Sequence, residues 1–420
     1  MDVVAAHAPL FIGAAAVLAF YMCWAIGAND VANAMGPTVG SGAMSVRRAV
    51  VIAAVFELAG AVFVGRHVTA TLGQGIVDPS TMADQPELLA YGMLAVLLAC
   101  ALWLTVASWR GWPVSTTHAV VGGIVGFAVV GVGSEVVDWT VVGQVGLSWI
   151  ISPVAGGVLA ALLMSSVRTL VLDTERPAAM ARRWAPVYAF AVGAVITFVT
   201  LFEGLHGAAV SSTLVALGTA LAVGAVLAAA SHVLVGRAPT TPGMDERRHL
   251  GAVERVFAPL MVFTACAMAF AHGSNDVANG AGPLAMVYAI AASGGAAALA
   301  AHVPLWMLLL GGGGIVLGIL TLGARVMATV GTKITALTPT RGYCATLAAA
   351  TVVIIASRSG MPVSTTHVVI GSVVGLGLGR SIGVMDLRVL GGIVFYWLLT
   401  LPVGAGLTIV LFWCIKGALT

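Results

Sequence analysis

Long apolar stretches, separated by short clusters of charge, run the length of this chain. They occupy about 9–26, 49–65, 91–109, 140–164, 186–202, 213–235, 257–272, 304–323, 343–357 and 387–415. Most are long enough for a helix to cross a hydrocarbon core of about 30 Å. Two shorter apolar pieces, about 113–131 and 362–379, each begin at a proline and are rich in Gly, Ser and Thr. They read as re-entrant or broken helices rather than simple spans. The first apolar run starts near Pro9 with no Lys or Arg before it, so it reads as a true first span and not as a cleavable leader. The pattern predicts an all-α integral membrane protein, a polytopic bundle of about 10–12 segments.

Composition agrees. Of 420 residues 60% are hydrophobic and 8% charged, where soluble domains carry about 25% charge. Fifty-two glycines suit close approach of membrane helices. The formal net charge is +3, and no basic run exceeds two residues, so nucleic acid is not expected as a partner. Five cysteines are scattered through apolar stretches without a CxxC, and read as small packing residues.

The chain also repeats itself. Residues 27–37 read GANDVANAMGP and residues 273–283 read GSNDVANGAGP, with eight of eleven positions identical. Residues 113–126 (PVSTTHAVVGGIVG) and 362–375 (PVSTTHVVIGSVVG) share ten of fourteen. Trp149 and Pro153 are echoed by Trp397 and Pro402. The expected organisation is a first repeat at 1–165, a connecting pair of helices at 166–256, and a second repeat at 257–420.

Charge placement orients the repeats. Loop 66–90 holds Asp78, Asp84 and Glu87 against Arg66, whereas its counterpart 324–343 holds Arg325, Lys333 and Arg341 and no acid. The positive-inside rule then puts the first loop outside and the second inside. The stretches 166–185 and 236–256, each with four arginines, read as cytoplasmic. The repeats are therefore expected to be inverted, an architecture that places substrate near the midplane between them.

Asp30 and Asp276 follow apolar runs directly, so each lies in or near the membrane. A carboxylate there costs several kcal/mol unless paired, which marks it as functional. No Lys or Arg lies within either motif, so a bound cation, Na⁺ or H⁺, is the simplest partner. Asn29 and Asn275 would add amide oxygens, and the motif glycines would ease local unwinding. In the Pro-Val-Ser-Thr-Thr-His motifs, Pro suits the first turn of a helix. Ser115, Thr116 and Thr117, and likewise Ser364, Thr365 and Thr366, then set hydroxyls beside free backbone N–H groups, a ready site for an oxyanion. His118 and His367 are expected to stand behind this clamp, where an imidazole can relay a proton or orient a neighbour. Glu57, inside a span and matched by Ile315, would pair with an Arg, line the pathway or bind a second cation.

Taken together, the doubled motifs resemble the signature of the inorganic phosphate transporter (PiT) family in its compact prokaryotic form, and the likeness covers both repeats. The segment GTKITALTPTRGY at 331–343 resembles that family's loop in the second half. The resemblance implies a cation-coupled phosphate symporter, not an enzyme, without a resident cofactor, in the inner cell membrane. It assigns phosphate to Asn29, Asn33, Ser115, Thr116, Thr117, Asn275, Asn279, Ser364, Thr365 and Thr366. It assigns cations to Asp30 and Asp276, with Asn29 and Asn275 beside them. The implied mechanism is alternating access. A sulfate or other oxyanion permease of the same fold stays open, as does a passive anion channel. Homodimer formation and the choice between Na⁺ and H⁺ are left open as well.

Overall fold

The computed structural model describes residues 3–77, 82, 85–204, 213–235, 246–292, 303–324, 327, 337–377 and 387–419. Several sequence features fall outside them, including Asp78, Asp84, Arg325, Lys333 and the first part, 331–336, of segment 331–343.

After a turn of helix at Val3–Ala6, the chain forms α1 (Ala8–Gly40), α2 (Val46–Val64), α3 (Arg66–Ala70), α4 (Pro86–Arg110), α5 (Thr116–Gly131), α6 (Trp139–Val167) and α7 (Pro177–Gly204). It continues through α8 (Thr213–Val235), α9 (Glu246–Asp276), α10 (Ala278–Ala292), α11 (Leu305–Gly318), α12 (Pro339–Arg358), α13 (Thr365–Gly377) and α14 (Leu387–Leu419). Among the described residues, nine helical stretches are long and apolar enough to cross a bilayer, or ten if one bent pair is a single span. This is the all-α membrane bundle that the apolar pattern predicts. The protein is a multi-pass membrane protein.

Two expectations need correction. The stretch 66–90 is not simply a loop: α3 leaves α2 at 61° and passes into a π-turn at Thr71–Gly75. It is tied to the second repeat by Thr71, whose hydroxyl donates to the Gly360 carbonyl at 2.6 Å. The first Asn-Asp motif is not unwound either. It lies within α1, whose 33 residues continue without a break, about 50 Å of helix. Only the second copy breaks, at Val277 between α9 and α10.

The repeats interleave. The most extensive contacts between them pair α1 with α11, α2 with α9, α5 with α14, and α6 with α13. In each pair one helix comes from either repeat, and the four pairs fall into two matched sets. The middle helices α7 and α8 pack mainly on each other. Close approach needs glycine at two equivalent places. A Cβ on Gly27 would lie 2.0 Å from the backbone oxygen of Ile315, and one on Gly273 would lie 2.0 Å from that of Glu57. Neither backbone can rotate aside as a side chain would. Gly273→Ala should therefore cost more than the ~1–3 kcal/mol of ordinary overpacking. The expected result is loss of the monodisperse peak in detergent size-exclusion chromatography, while the surface variant Gly13→Ala, with nothing within 4 Å of its Cβ, runs as wild type.

Candidate functional site

The two short helices that carry the hydroxyl-rich motifs start abruptly for a local reason. α4 ends at Gly111 with φ +67°, and α12 is followed by Gly360 with φ +68°. A left-handed residue at this place stops a helix and reverses the chain. The next residues, 112–115 and 361–364, form no regular element, and Ser115 itself is extended. Ser115 then caps α5, its side chain accepting from the His118 backbone N–H. Ser364 does the same for α13 through the His367 N–H at 3.3 Å. The prolines are thus not in the first helical turn. Pro113 and Pro362 sit in the lead before each helix, where the ring fixes φ and no N–H is available to start a helical turn. Both serine hydroxyls serve as helix caps.

The threonines reach the carboxylates of the Asn-Asp motifs. Thr116 donates to Asp30 Oδ2 at 2.5 Å, and its equivalent Thr365 donates to Asp276 Oδ2 at 3.4 Å. Asn33 donates to Asp30 Oδ1 at 3.3 Å and to Thr366 Oγ1 at 2.8 Å, the second bond crossing between repeats. Thr117 also crosses, donating to the Val363 carbonyl at 3.1 Å. Asn29 donates to Ser108 at 2.8 Å and Asn275 to Ser357 at 3.1 Å. Asn279 turns back to the Asp276 carbonyl at 3.2 Å. Asp30, Asn33, Thr116 and Thr366 are thus joined by hydrogen bonds, as are Asp276, Thr365 and Asn279, while Asn29 and Asn275 bond to serines outside the motifs and Ser115 and Ser364 cap their own helices. Asp30 is 2% and Asp276 1% exposed.

Asp276 has a partner that sequence reasoning missed. His272 Nε2 lies 3.1 Å from Asp276 Oδ2, and its Nδ1 lies 3.1 Å from Glu57 Oε2. All three side chains are buried. Glu57 thus faces a histidine, not an arginine. The absence of Lys and Arg from the motif did not leave Asp276 without a basic neighbour, because the imidazole stands four residues earlier on α9. Glu57 was itself the available signal: a lone intramembrane acid whose counterpart is Ile315 requires a partner that is also unmatched, and His272 answers to Ile26. Atoms of Asp30, His272 and Asp276 all lie within 4.8 Å of one another.

A hard monovalent cation wants oxygen ligands. Asn275 Oδ1, Asp276 Oδ1 and Asn279 Oδ1 are buried with no hydrogen-bond partner among the described residues. Three buried oxygens around one helix break, one of them from the Asp276 carboxylate, with the Asp30 carboxylate nearby, fit such a cation by charge and by donor type.

His118 and His367 meet ring to ring at 4.5 Å, behind the helix starts. Of the two arginines ahead of the motifs, Arg110 is exposed with its guanidinium 5.3 Å from the Trp112 ring centre, while Arg358 is buried.

Comparison with known proteins follows from this geometry. The sequence pattern of the phosphate transporter family matches residues 26–408. The chain belongs to this family. It is 40% identical over 417 residues, 99% of both chains, to a Haemophilus influenzae protein provisionally named a phosphate permease. It is 41% identical to the chloroplastic inorganic phosphate transporter 2-1 of Arabidopsis thaliana, over 94% of this chain and 70% of that one. A solved structure titled as the sodium-dependent phosphate transporter matches with a TM-score of 0.89 and 38% identity, covering 97% of this chain and 99% of the other. These relatives are transporters by name, which fits the expectation that the chain is not an enzyme.

Proposed function

We propose that the protein is a cation-coupled symporter of inorganic phosphate, working by alternating access in the inner cell membrane. The observation that carries the reading is the meeting of Asp30 and Asp276, each hydrogen-bonded by the first threonine of a hydroxyl-rich helix start. Phosphate carries between one and two negative charges near neutral pH. Placed about 5 Å from a carboxylate, each unit of that charge is repelled by about 3 kcal/mol at an effective dielectric of 20. A cation on the aspartates offsets this repulsion, so phosphate enters only with its cation. That requirement is the coupling.

In this reading Asp30, Asp276, Asn29 and Asn275 hold the cation. The starts of α5 and α13, with Asn33 and Asn279, hold the anion through hydroxyls, amides and backbone N–H groups at the positive helix ends. The repeats 1–165 and 257–420 are taken as inverted copies joined by α7 and α8, and they rock about the shared site. Sodium is the favoured ion: Asn275 and Asp276 each offer a buried oxygen with no hydrogen-bond partner among the described residues, and the solved relative is named as sodium-dependent.

Radiolabelled phosphate uptake into proteoliposomes tests this directly. Accumulation should require an inward Na⁺ gradient and collapse when the gradient is dissipated. Uptake driven by a pH gradient alone would reassign the ion to H⁺. Flux indifferent to both gradients would identify a passive channel instead. Excess sulfate should leave uptake intact, and equal competition would make the protein a general oxyanion permease.

A further inference from the structure

Behind the two helix starts lies a stack of four aromatic rings. Trp149 on α6 covers His118 at 3.7 Å between ring centres, His118 meets His367 at 4.5 Å, and Trp397 on α14 covers His367 at 3.6 Å. The order along the stack is Trp149, His118, His367, Trp397, so it runs from one repeat into the other. The two ends differ. The Trp149 indole N–H donates across the repeats to the Pro362 carbonyl at 3.3 Å. The Trp397 indole nitrogen and His367 Nε2 are buried without a hydrogen-bond partner among the described residues. The two histidines differ as well. His118 Nδ1 lies 2.5 Å from Ser115 Oγ, whereas among the described residues the only hydrogen bond between Ser364 and His367 is the backbone N–H cap.

We propose that this stack is a positioning element for the anion site, in which His118 sets the direction of the Ser115 hydroxyl and Trp149 sets the spacing of the two helix starts. The proposal rests on the reading of those helix starts as the phosphate site. A serine hydroxyl has one proton to give and two lone pairs. If His118 Nδ1 accepted that proton, Ser115 would have none left for an anion. With the proton on Nδ1, the imidazole donates to Ser115 Oγ, a second lone pair takes the His118 backbone N–H, and the hydroxyl proton is free to point at phosphate. Which ring nitrogen carries the proton is thus what makes Ser115 a donor or removes it. Among the described residues Ser364 receives only the His367 backbone N–H and has no such imidazole contact, while the second motif's Pro362 carbonyl takes the Trp149 indole. The doubled motif therefore does two different jobs: orientation of a hydroxyl in the first copy, linkage between repeats in the second.

Substitutions at His118, Ser115, Trp149 and Trp397 separate these roles in the phosphate-uptake assay. His118→Phe keeps a stacking ring and removes the bond to Ser115. Uptake should show a phosphate KM raised about tenfold, the order expected for losing one hydrogen bond to a charged ligand, with Vmax per folded transporter within about twofold. His118→Asn places an amide N–H where Nδ1 was, and should restore most of the wild-type KM. In a Ser115→Ala background the His118→Phe change should add little, because the two residues act as one unit. Trp149→Phe keeps a ring but loses the bond to Pro362, and should raise KM more than Trp397→Phe. The proposal is overturned if His118→Phe has a wild-type KM, if His118→Asn behaves as His118→Phe does, or if the Ser115→Ala and His118→Phe effects on KM multiply independently. Should His118→Phe fail to fold, the Ser115→Ala, His118→Asn double variant decides: a KM above that of Ser115→Ala alone refutes the linkage. Absence of phosphate uptake by the wild-type protein would instead defeat the underlying functional reading.

Discussion

Asp30→Asn should reduce gradient-driven phosphate uptake by at least about 100-fold while leaving the protein folded in the membrane. The carboxylate accepts from Thr116 at 2.5 Å and from Asn33 at 3.3 Å, on different oxygens. An amide keeps the shape but offers only one acceptor. Whichever way it is turned, an NH₂ group faces either the Thr116 hydroxyl or the Asn33 amide. A threonine hydroxyl can reverse and accept, so the fold tolerates the change. The lost negative charge cannot be replaced. Charged hydrogen bonds contribute about 1.5–3 kcal/mol each, and each 1.36 kcal/mol off a barrier is tenfold in rate. Loss of one such interaction and of the cation's charge partner together gives the stated factor. Uptake in proteoliposomes, normalised to folded protein by size-exclusion chromatography, is the measurement. Near-normal Na⁺-driven uptake would remove Asp30 from the cation site.

His272→Ile should destabilise the protein by about 3–5 kcal/mol, the usual result of removing one partner from a buried ion pair. It would leave Glu57, fully buried, and Asp276 without the imidazole that lies 3.1 Å from each. The symmetry-equivalent place shows what an apolar solution looks like, because the counterparts of His272 and Glu57 are Ile26 of the first repeat and Ile315 of the second, both fully buried. The double variant Glu57→Ile, His272→Ile copies that arrangement. It should recover more than half of the lost stability, since a well-packed apolar pair often matches a buried ion pair. Thermal unfolding in nanodiscs measures both. The double variant should remain inactive in uptake, which would show that the charged trio serves the site rather than the fold. Equal melting of the single and double variants would show that Glu57 does not depend on His272.

The motif residues were legible in the sequence because the chain states them twice. Asp30, Asn33, Thr116 and Thr366 were all named by repetition, and the structure joins them by hydrogen bonds. His272 was not legible in that way, because it is the unrepeated member of its pair and repetition was the signal being read. Ser108 and Ser357, which receive the Asn29 and Asn275 amides, were hidden for another reason: each lies on a separate helix, about 80 residues away in the chain. Isolated serines in an apolar run carry no mark of their partner. The helical state of the first Asn-Asp motif was misread because glycine permits unwinding without requiring it. At Gly27 the residue is needed instead for the close pass of Ile315.

The sequence by itself determined the solvent of this protein, the helical character of its spans, the duplication, and the chemical types of the residues at the site. Those follow from composition and local order: a chain 60% hydrophobic and 8% charged must satisfy its backbone internally, and in a bilayer helices do this. Only the tertiary structure decided who meets whom. The pairing of α2 with α9 brings Glu57 to His272, the crossing of α1 with α11 sets the place of Asp30, and the reversal at Gly111 turns Thr116 toward it. Such contacts join residues far apart in the chain, where no local spacing rule operates. They depend on shape and close packing, and the two copies of one motif therefore came to differ in their partners although their sequences are nearly alike.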